Sequence, residues 1–315
     1  MSALVGGGLA EQVVDAINEV SGVHPGHRAA HARGTLCAGR FAATPAAGRL
    51  TRAAHMQGEA VRATVRLSNG GGDPGIPDYA TEGRGMAVKL YLADGARTDM
   101  VALSLPVFFA RTPADFLEFT RARRPDPETG RPDAERLGAW FAAHPEAGPA
   151  IQAAISAPPP ASYATCAYNG IHSFRWVNRA GEGRFVRFRW EPESGVAALS
   201  AEDARARGPT YLQDELAGRL GPGGAAFRLV VTLAEPEDPV DDPTAAWPDE
   251  RQQVVVGRLE LTGPEEERER DGDVLVFDPT RVVDGIELSA DPILGFRRDA
   301  YAVSVERRSG LKLSA

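Results

Sequence analysis

Val65-Arg66-Leu67-Ser68-Asn69-Gly70-Gly71-Gly72-Asp73-Pro74, Gly83-Arg84-Gly85-Met86-Ala87-Val88-Lys89-Leu90-Tyr91 and Asp99-Met100-Val101-Ala102-Leu103-Ser104-Leu105-Pro106-Val107-Phe108-Phe109 decide the fold. In each block a β-forming run stops at glycine or proline, so residues 62–68, 85–91 and 98–103 are predicted strands. A second strand-rich stretch covers 162–168, 171–178 and 185–191, with turns at Asn169-Gly170 and Gly181-Glu182-Gly183. Residues 226–233 and 254–261 read the same way. Helices flank these runs. Val13, Ile17 and Val20 repeat at helical spacing over 9–20, and Gly22 closes that segment. Thr112-Pro113-Ala114-Asp115 is a capped helix start that 116–123 continues, followed by a polar loop over 125–132. Residues 134–157 read as helix, interrupted near Pro145 and Pro149 and ended by Pro158-Pro159-Pro160. Ser200 caps a short helix over 201–207, and 210–220 reads as another. Residues 236–285 are rich in proline and charge, extended apart from one strand.

With 315 residues, 43% of them hydrophobic, the chain can bury a large core in one big domain or two ordinary ones. A net charge of −8 and a pI near 5.4 argue against a nucleic-acid surface or a basic membrane anchor. No apolar run approaches a membrane span. Residues 1–8 lack a basic n-region and a long apolar stretch, so a cytoplasmic protein is expected. Cys37 and Cys166 have no metal-ligand spacing and suggest buried thiols rather than a disulfide framework.

Two stretches carry chemistry. In Asp291-Pro292-Ile293-Leu294-Gly295-Phe296-Arg297-Arg298-Asp299-Ala300-Tyr301, Arg297 stands one helical turn before Tyr301 on the same face. An arginine so placed favours a phenolate over a phenol, and a phenolate is a known axial ligand of haem iron. Arg308, seven residues after Tyr301, lies close to that face too. Near the start, Arg28-Ala29-Ala30-His31-Ala32-Arg33-Gly34 offers His31 as a base.

The ordered blocks resemble the VRFS, RGFAVKFY and DLVGNNTPVFF segments of the haem catalase superfamily, and Tyr168-Asn169-Gly170-Ile171-His172-Ser173-Phe174 resembles its NGYGSHTF segment. The chain is similar to the minimal, catalase-related peroxidase type. That resemblance implies an α+β fold: an antiparallel eight-stranded β-barrel with surrounding helices and a C-terminal proximal helix. It implies one catalase-like domain over 1–315, made of an N-terminal helical arm (1–24), barrel and helices (25–235), and a wrapping segment ending in the proximal helix (236–315). It implies one haem b, with Tyr301 as the metal ligand, Arg297 holding it ionised and His31 as the distal acid–base oriented by Ser68. Arg28, Arg66 and Arg308 match positions at the haem periphery, where arginine suits propionates because it stays charged and binds carboxylates bidentately. Phe116 matches a ring on the distal face, and His172 a histidine near the haem. Peroxide and a small organic electron donor are the implied partners, in a homo-oligomer. A biosynthetic haem enzyme acting on a specific metabolite or fatty-acid hydroperoxide is a second reading. A haem carrier or sensor without turnover is a third, which His31 and Ser68 argue against.

One departure bears on activity. The family's paired amides in DLVGNN are Leu103 and Ser104 here, and Leu103 falls at the one that orients peroxide. Leucine donates no hydrogen bond, and losing one such preorganised donor costs about 2–4 kcal/mol in rate. Ser104 is a possible substitute, although a strand neighbour points the other way. Peroxidase activity is therefore expected to outrank dismutation.

Overall fold

The three predicted strands around Ser68, Gly85 and Leu103 lie side by side. The computed structural model describes residues 3–220, 224–266 and 274–309. Helix α1 (Ala3–Ser21) leads to β1 (Gly34–Ala43), a short α2 (Ala47–Leu50), then β2 (Val61–Asn69), β3 (Arg84–Tyr91) and β4 (Arg97–Leu103). Helices α3 (Pro113–Ala122), α4 (Ala134–Ala143) and α5 (Gly148–Ser156) precede β5 (Tyr168–Asn169), β6 (Phe174–Val177) and β7 (Gly183–Pro192). After α6 (Ala201–Ala206) and α7 (Tyr211–Leu220) come β8 (Ala225–Leu233), β9 (Gln253–Pro264), β10 (Ile286–Leu288) and α8 (Pro292–Ser309). No helix among the described residues is long and apolar enough to cross a membrane.

Strands β5-β4-β3-β2-β1-β9-β8 pair in that order, and β7 bonds to both β5 and β8. Every pairing is antiparallel, so eight strands close into a barrel. Closure leaves those eight strands without a free edge. β6 and β10 extend from the other end of β7. Strict alternation divides the wall. Val65, Leu67, Met86, Val88, Met100 and Ala102 point inward, to a core shared with Phe41, Phe188 and Trp190. Arg66, Ser68, Gly85, Ala87, Val101 and Leu103 take the alternate positions and face outward. Part of that outer face is roofed by Leu275 and Phe277, which pack with Leu36, Ala87 and Val101. Asp99 fixes this roof, holding Lys89 and Arg281 and accepting the Asp278 N–H at 2.9 Å.

Two expectations need correction. Residues 162–168 are not a strand: Ser162 accepts the Ala164 N–H at 3.0 Å and caps a 3₁₀ turn over Tyr163–Thr165. Two buried tyrosines hold this stretch, with Tyr163 tied to Asn69 at 2.7 Å and Tyr168 to the Tyr163 carbonyl at 2.9 Å. Asn169-Gly170 is likewise no hairpin turn, because β5 and β6 run in succession along the same strand, β7. The capped start at Thr112 is present as expected, with reciprocal bonds between Thr112 and Asp115.

One buried group away from the chemistry contributes to acid stability. His55 is 1% exposed, beside Phe41 with ring centroids 6.4 Å apart, and neither ring nitrogen has a hydrogen-bond partner. Burial lowers its pKa to about 4. An unfolded chain takes up that proton near pH 6.5, so from there down to about 4 the unfolded state binds more protons and acid favours unfolding. The stability His55 confers through this linkage is complete above pH 6.5 and falls by about 3 kcal/mol as acid is added. The urea midpoint should therefore drop from pH 7 to pH 4, and His55→Leu should make that drop smaller, with His31 and His172 accounting for part of the remainder. Equal slopes in both proteins would remove His55 as the cause.

Candidate active site

His31 sits in the loop joining α1 to β1, with φ at +55°, the one positive φ outside glycine among the described residues. A histidine held in the left-handed region needs neighbours that fix it. The His31 and Ala32 N–H groups donate to the carbonyls of Gly70 and Gly71 at 3.2 and 2.9 Å. Arg66, reaching up from β2, donates to the His31 and Ala32 carbonyls at 2.9 and 3.3 Å. Glu82 accepts the Gly71 N–H at 2.6 Å and so braces the receiving loop. Against this backbone, the His31 ring places Nδ1 3.0 Å from Ser68 Oγ. Gly85 makes the approach possible, since a Cβ there would stand 2.7 Å from Nδ1 and 2.8 Å from Oγ. Burial, then the charges of Arg66 and Arg297, lowers the His31 pKa to about 3, with a smaller effect from Arg28. The imidazole is neutral at physiological pH, the form that takes up a proton.

The second half of the site is built on α8. Asp291 caps it, one carboxylate oxygen accepting the Ile293 and Leu294 N–H groups at 2.8 and 3.2 Å. Its other oxygen lies 2.6 Å from His172 Nδ1. His172 Nε2 lies 3.0 Å from Arg297 Nη1. A guanidinium only donates, so Nε2 is the acceptor and Nδ1–H donates to Asp291. Burial foremost lowers the His172 pKa, against the pull of Asp291, which keeps the ring neutral. Arg297 in turn gives Nε–H to the Tyr301 oxygen at 2.9 Å and a second N–H to the same atom. Asp291, His172, Arg297 and Tyr301 thus form one chain of contacts. Both His172 nitrogens are engaged within the protein, Nδ1 by Asp291 and Nε2 by Arg297.

Leu103 pairs with Gly85, which pairs with Ser68, so the three share one row on the outer face. Ser104 is turned away. Its hydroxyl accepts the Arg84 N–H at 2.8 Å. Phe116 stacks on Phe108, 5.9 Å between centroids and 7° between planes, and packs with Phe296 beside Val13 and Leu117. That cluster seats α1 and α3 against α8. Arg28 donates to the Leu275 carbonyl at 2.8 Å, and with Arg308 it lines a cleft between α1 and the end of α8.

The residues fit a haem. A phenolic oxygen that accepts two guanidinium N–H groups is prepared for negative charge, as an anionic iron ligand requires. A neutral imidazole on another element, with arginines around it, supplies the base and the counter-charges for propionates. Both motifs are readable in the sequence, whereas the parts played by Asp291 and Glu82 are not. The Asp-Pro step before α8 signals a cap, while the second bond of Asp291, to a residue 119 positions away, leaves no local trace.

The family model described as catalase matches residues 12–315. A catalase-related peroxidase of Mycolicibacterium paratuberculosis is 44% identical over 313 residues, covering 98% of each chain. A catalase-related peroxidase of Synechococcus elongatus is 35% identical over 95% of this chain and 88% of its own. Catalase A from Saccharomyces cerevisiae superposes with a TM-score of 0.81 at 25% identity, over 90% of this chain and 62% of that one.

Proposed function

The chain belongs to the catalase family, and on that premise we propose that it reduces hydrogen peroxide, or an organic peroxide, with electrons from a small organic donor. Haem is the cofactor of the family, and haem b is the form assigned here. The chain is a haem oxidoreductase of the peroxidase kind, as the names of its full-length relatives support. We further assign residues 1–315 to one catalase-like unit that assembles with copies of itself. We assign the chain to the cytoplasm, a setting that suits buried thiols such as Cys37 and Cys166.

When bound, haem supplies a redox-active iron at which the O–O bond is split. Tyr301, as phenolate, is the residue that holds this iron, and Arg297 keeps the charge on its oxygen. His172 and Asp291 fix the guanidinium in turn. Neutral His31 would take the proton from one peroxide oxygen and return it to the departing one. Ser68 holds the ring for both transfers. The overall balance is two electrons and two protons from two donor molecules, converting one hydrogen peroxide to two waters. Arg28, Arg66 and Arg308 are the cations assigned to the propionates, with Phe116 packed on the distal side.

The observation that carries peroxidase over dismutation is Leu103, in the same row as Ser68 with no hydrogen bond to offer. Dismutation requires a second peroxide, polar and well oriented, and Leu103 offers it no donor. Leu103→Asn should raise oxygen release from peroxide about tenfold or more while lowering or sparing donor oxidation. An oxygen electrode decides it. Wild-type oxygen release at the rate of a full catalase would defeat the assignment.

A further inference from the structure

We propose that Trp140 is an electron relay, through which phenols too large to enter the site reduce the enzyme. The inference rests on the peroxidase reading above and on the place assigned to Phe116. From Phe116 a row of touching rings leads to the surface. Centroids are 5.5 Å apart from Phe116 to Phe109, 4.6 Å from Phe109 to Phe119 and 4.7 Å from Phe119 to Trp140. Phe141 ends the row, 5.5 Å from Trp140 and 36% exposed on α4. A benzene ring resists oxidation, so the phenylalanines only narrow the gaps, whereas an indole gives up an electron readily. Trp140 is the one tryptophan among the described residues in ring contact with this row, while Trp190 faces Phe41 in the barrel core.

Packing of α4 on α3 accounts for the burial of Trp140 but not for its nitrogen. The indole N–H is buried with no hydrogen-bond partner, where such a group ordinarily finds one. His144 lies flat on the ring, 4.4 Å between centroids and 22° between planes, and so accepts nothing from it. The imidazole is held between Glu146, 3.1 Å from Nδ1, and Glu118, 3.9 Å from Nε2. Two carboxylates so close favour a positive charge on the neighbouring ring. An indole without a proton acceptor that loses an electron keeps its N–H and becomes a cation, which a phenol readily reduces. Each phenol gives up one electron and its hydroxyl proton, Trp140 passes the electron inward and is restored, and two phenols convert one peroxide to two waters.

The holoenzyme should be given peroxide with a free phenol, and separately with the same phenol tethered to dextran. The wild type is expected to oxidise both. Trp140→Phe, which keeps a packed ring, should slow the tethered phenol at least about tenfold and leave the free one unchanged. Trp140→Tyr supplies another oxidisable ring and should restore most of the loss. Phe119→Leu opens the row without touching Trp140 and should also slow the tethered phenol. Frozen after mixing with peroxide alone, the wild type should show a paramagnetic resonance signal that changes shape with ring-deuterated tryptophan and is absent from Trp140→Phe. A tethered phenol that the wild type refuses, or that Trp140→Phe oxidises equally well, overturns the relay while leaving the peroxidase reading intact. A tryptophan signal that survives in Trp140→Phe does the same. Failure to oxidise either phenol overturns both.

Discussion

Tyr301→Phe is expected to abolish the tyrosinate-type ferric spectrum, lower haem occupancy and cut peroxide-dependent donor oxidation by at least about two orders of magnitude. The substitution removes one oxygen and little volume, so the packing of α8 should survive, and circular dichroism provides that control. The expectation follows from the chain of contacts that ends on this oxygen. Asp291 fixes His172, His172 fixes Arg297, and Arg297 directs two N–H groups at Tyr301. A Tyr301→Phe protein with the wild-type spectrum and full haem content would show that another residue holds the iron.

His31→Ala should keep haem yet react with peroxide about 10²- to 10⁴-fold more slowly, the usual size of a general acid–base contribution. Stopped-flow mixing with peroxide measures this directly, and an unchanged rate would move the search for the base to His27. The pH profile gives an independent check. Because the neutral ring is the active form and its pKa is lowered to about 3, the wild-type rate constant for peroxide should be flat from about pH 8 down to about pH 5. A normal histidine would lose half its activity near pH 6.5.

Much of the fold and half of the site are legible in the amino-acid sequence, for reasons that differ by element. The β2, β3 and β4 strands alternate cleanly because one face meets the barrel core and the other the roof and site. The Arg297–Tyr301 pair is readable because a helix places residues four apart on one face. β1 escapes as an individual strand, since Gly34, Ala38, Gly39 and Ala42 supply little β propensity, and its place is set by pairing with β2 and β9. The strand expected at 162–168 fails because Ser162 caps a 3₁₀ turn and almost every side chain of the stretch is buried, so the apolar content comes from burial on all sides and not from a ladder. His31 can be named from its motif, but its left-handed backbone, the clamp of Arg66 and the space left by Gly85 are tertiary facts. Likeness alone singles out His172, and only the fold reveals its contacts with Asp291 and Arg297.

The balance between donor oxidation and oxygen release rests on one side chain, Leu103, and one experiment reads it. Purified holoprotein mixed with hydrogen peroxide and a phenolic donor should be followed for donor absorbance and dissolved oxygen together. The expected result is two donor molecules oxidised per peroxide consumed, with little oxygen. One oxygen per two peroxides, with the donor untouched, would contradict it.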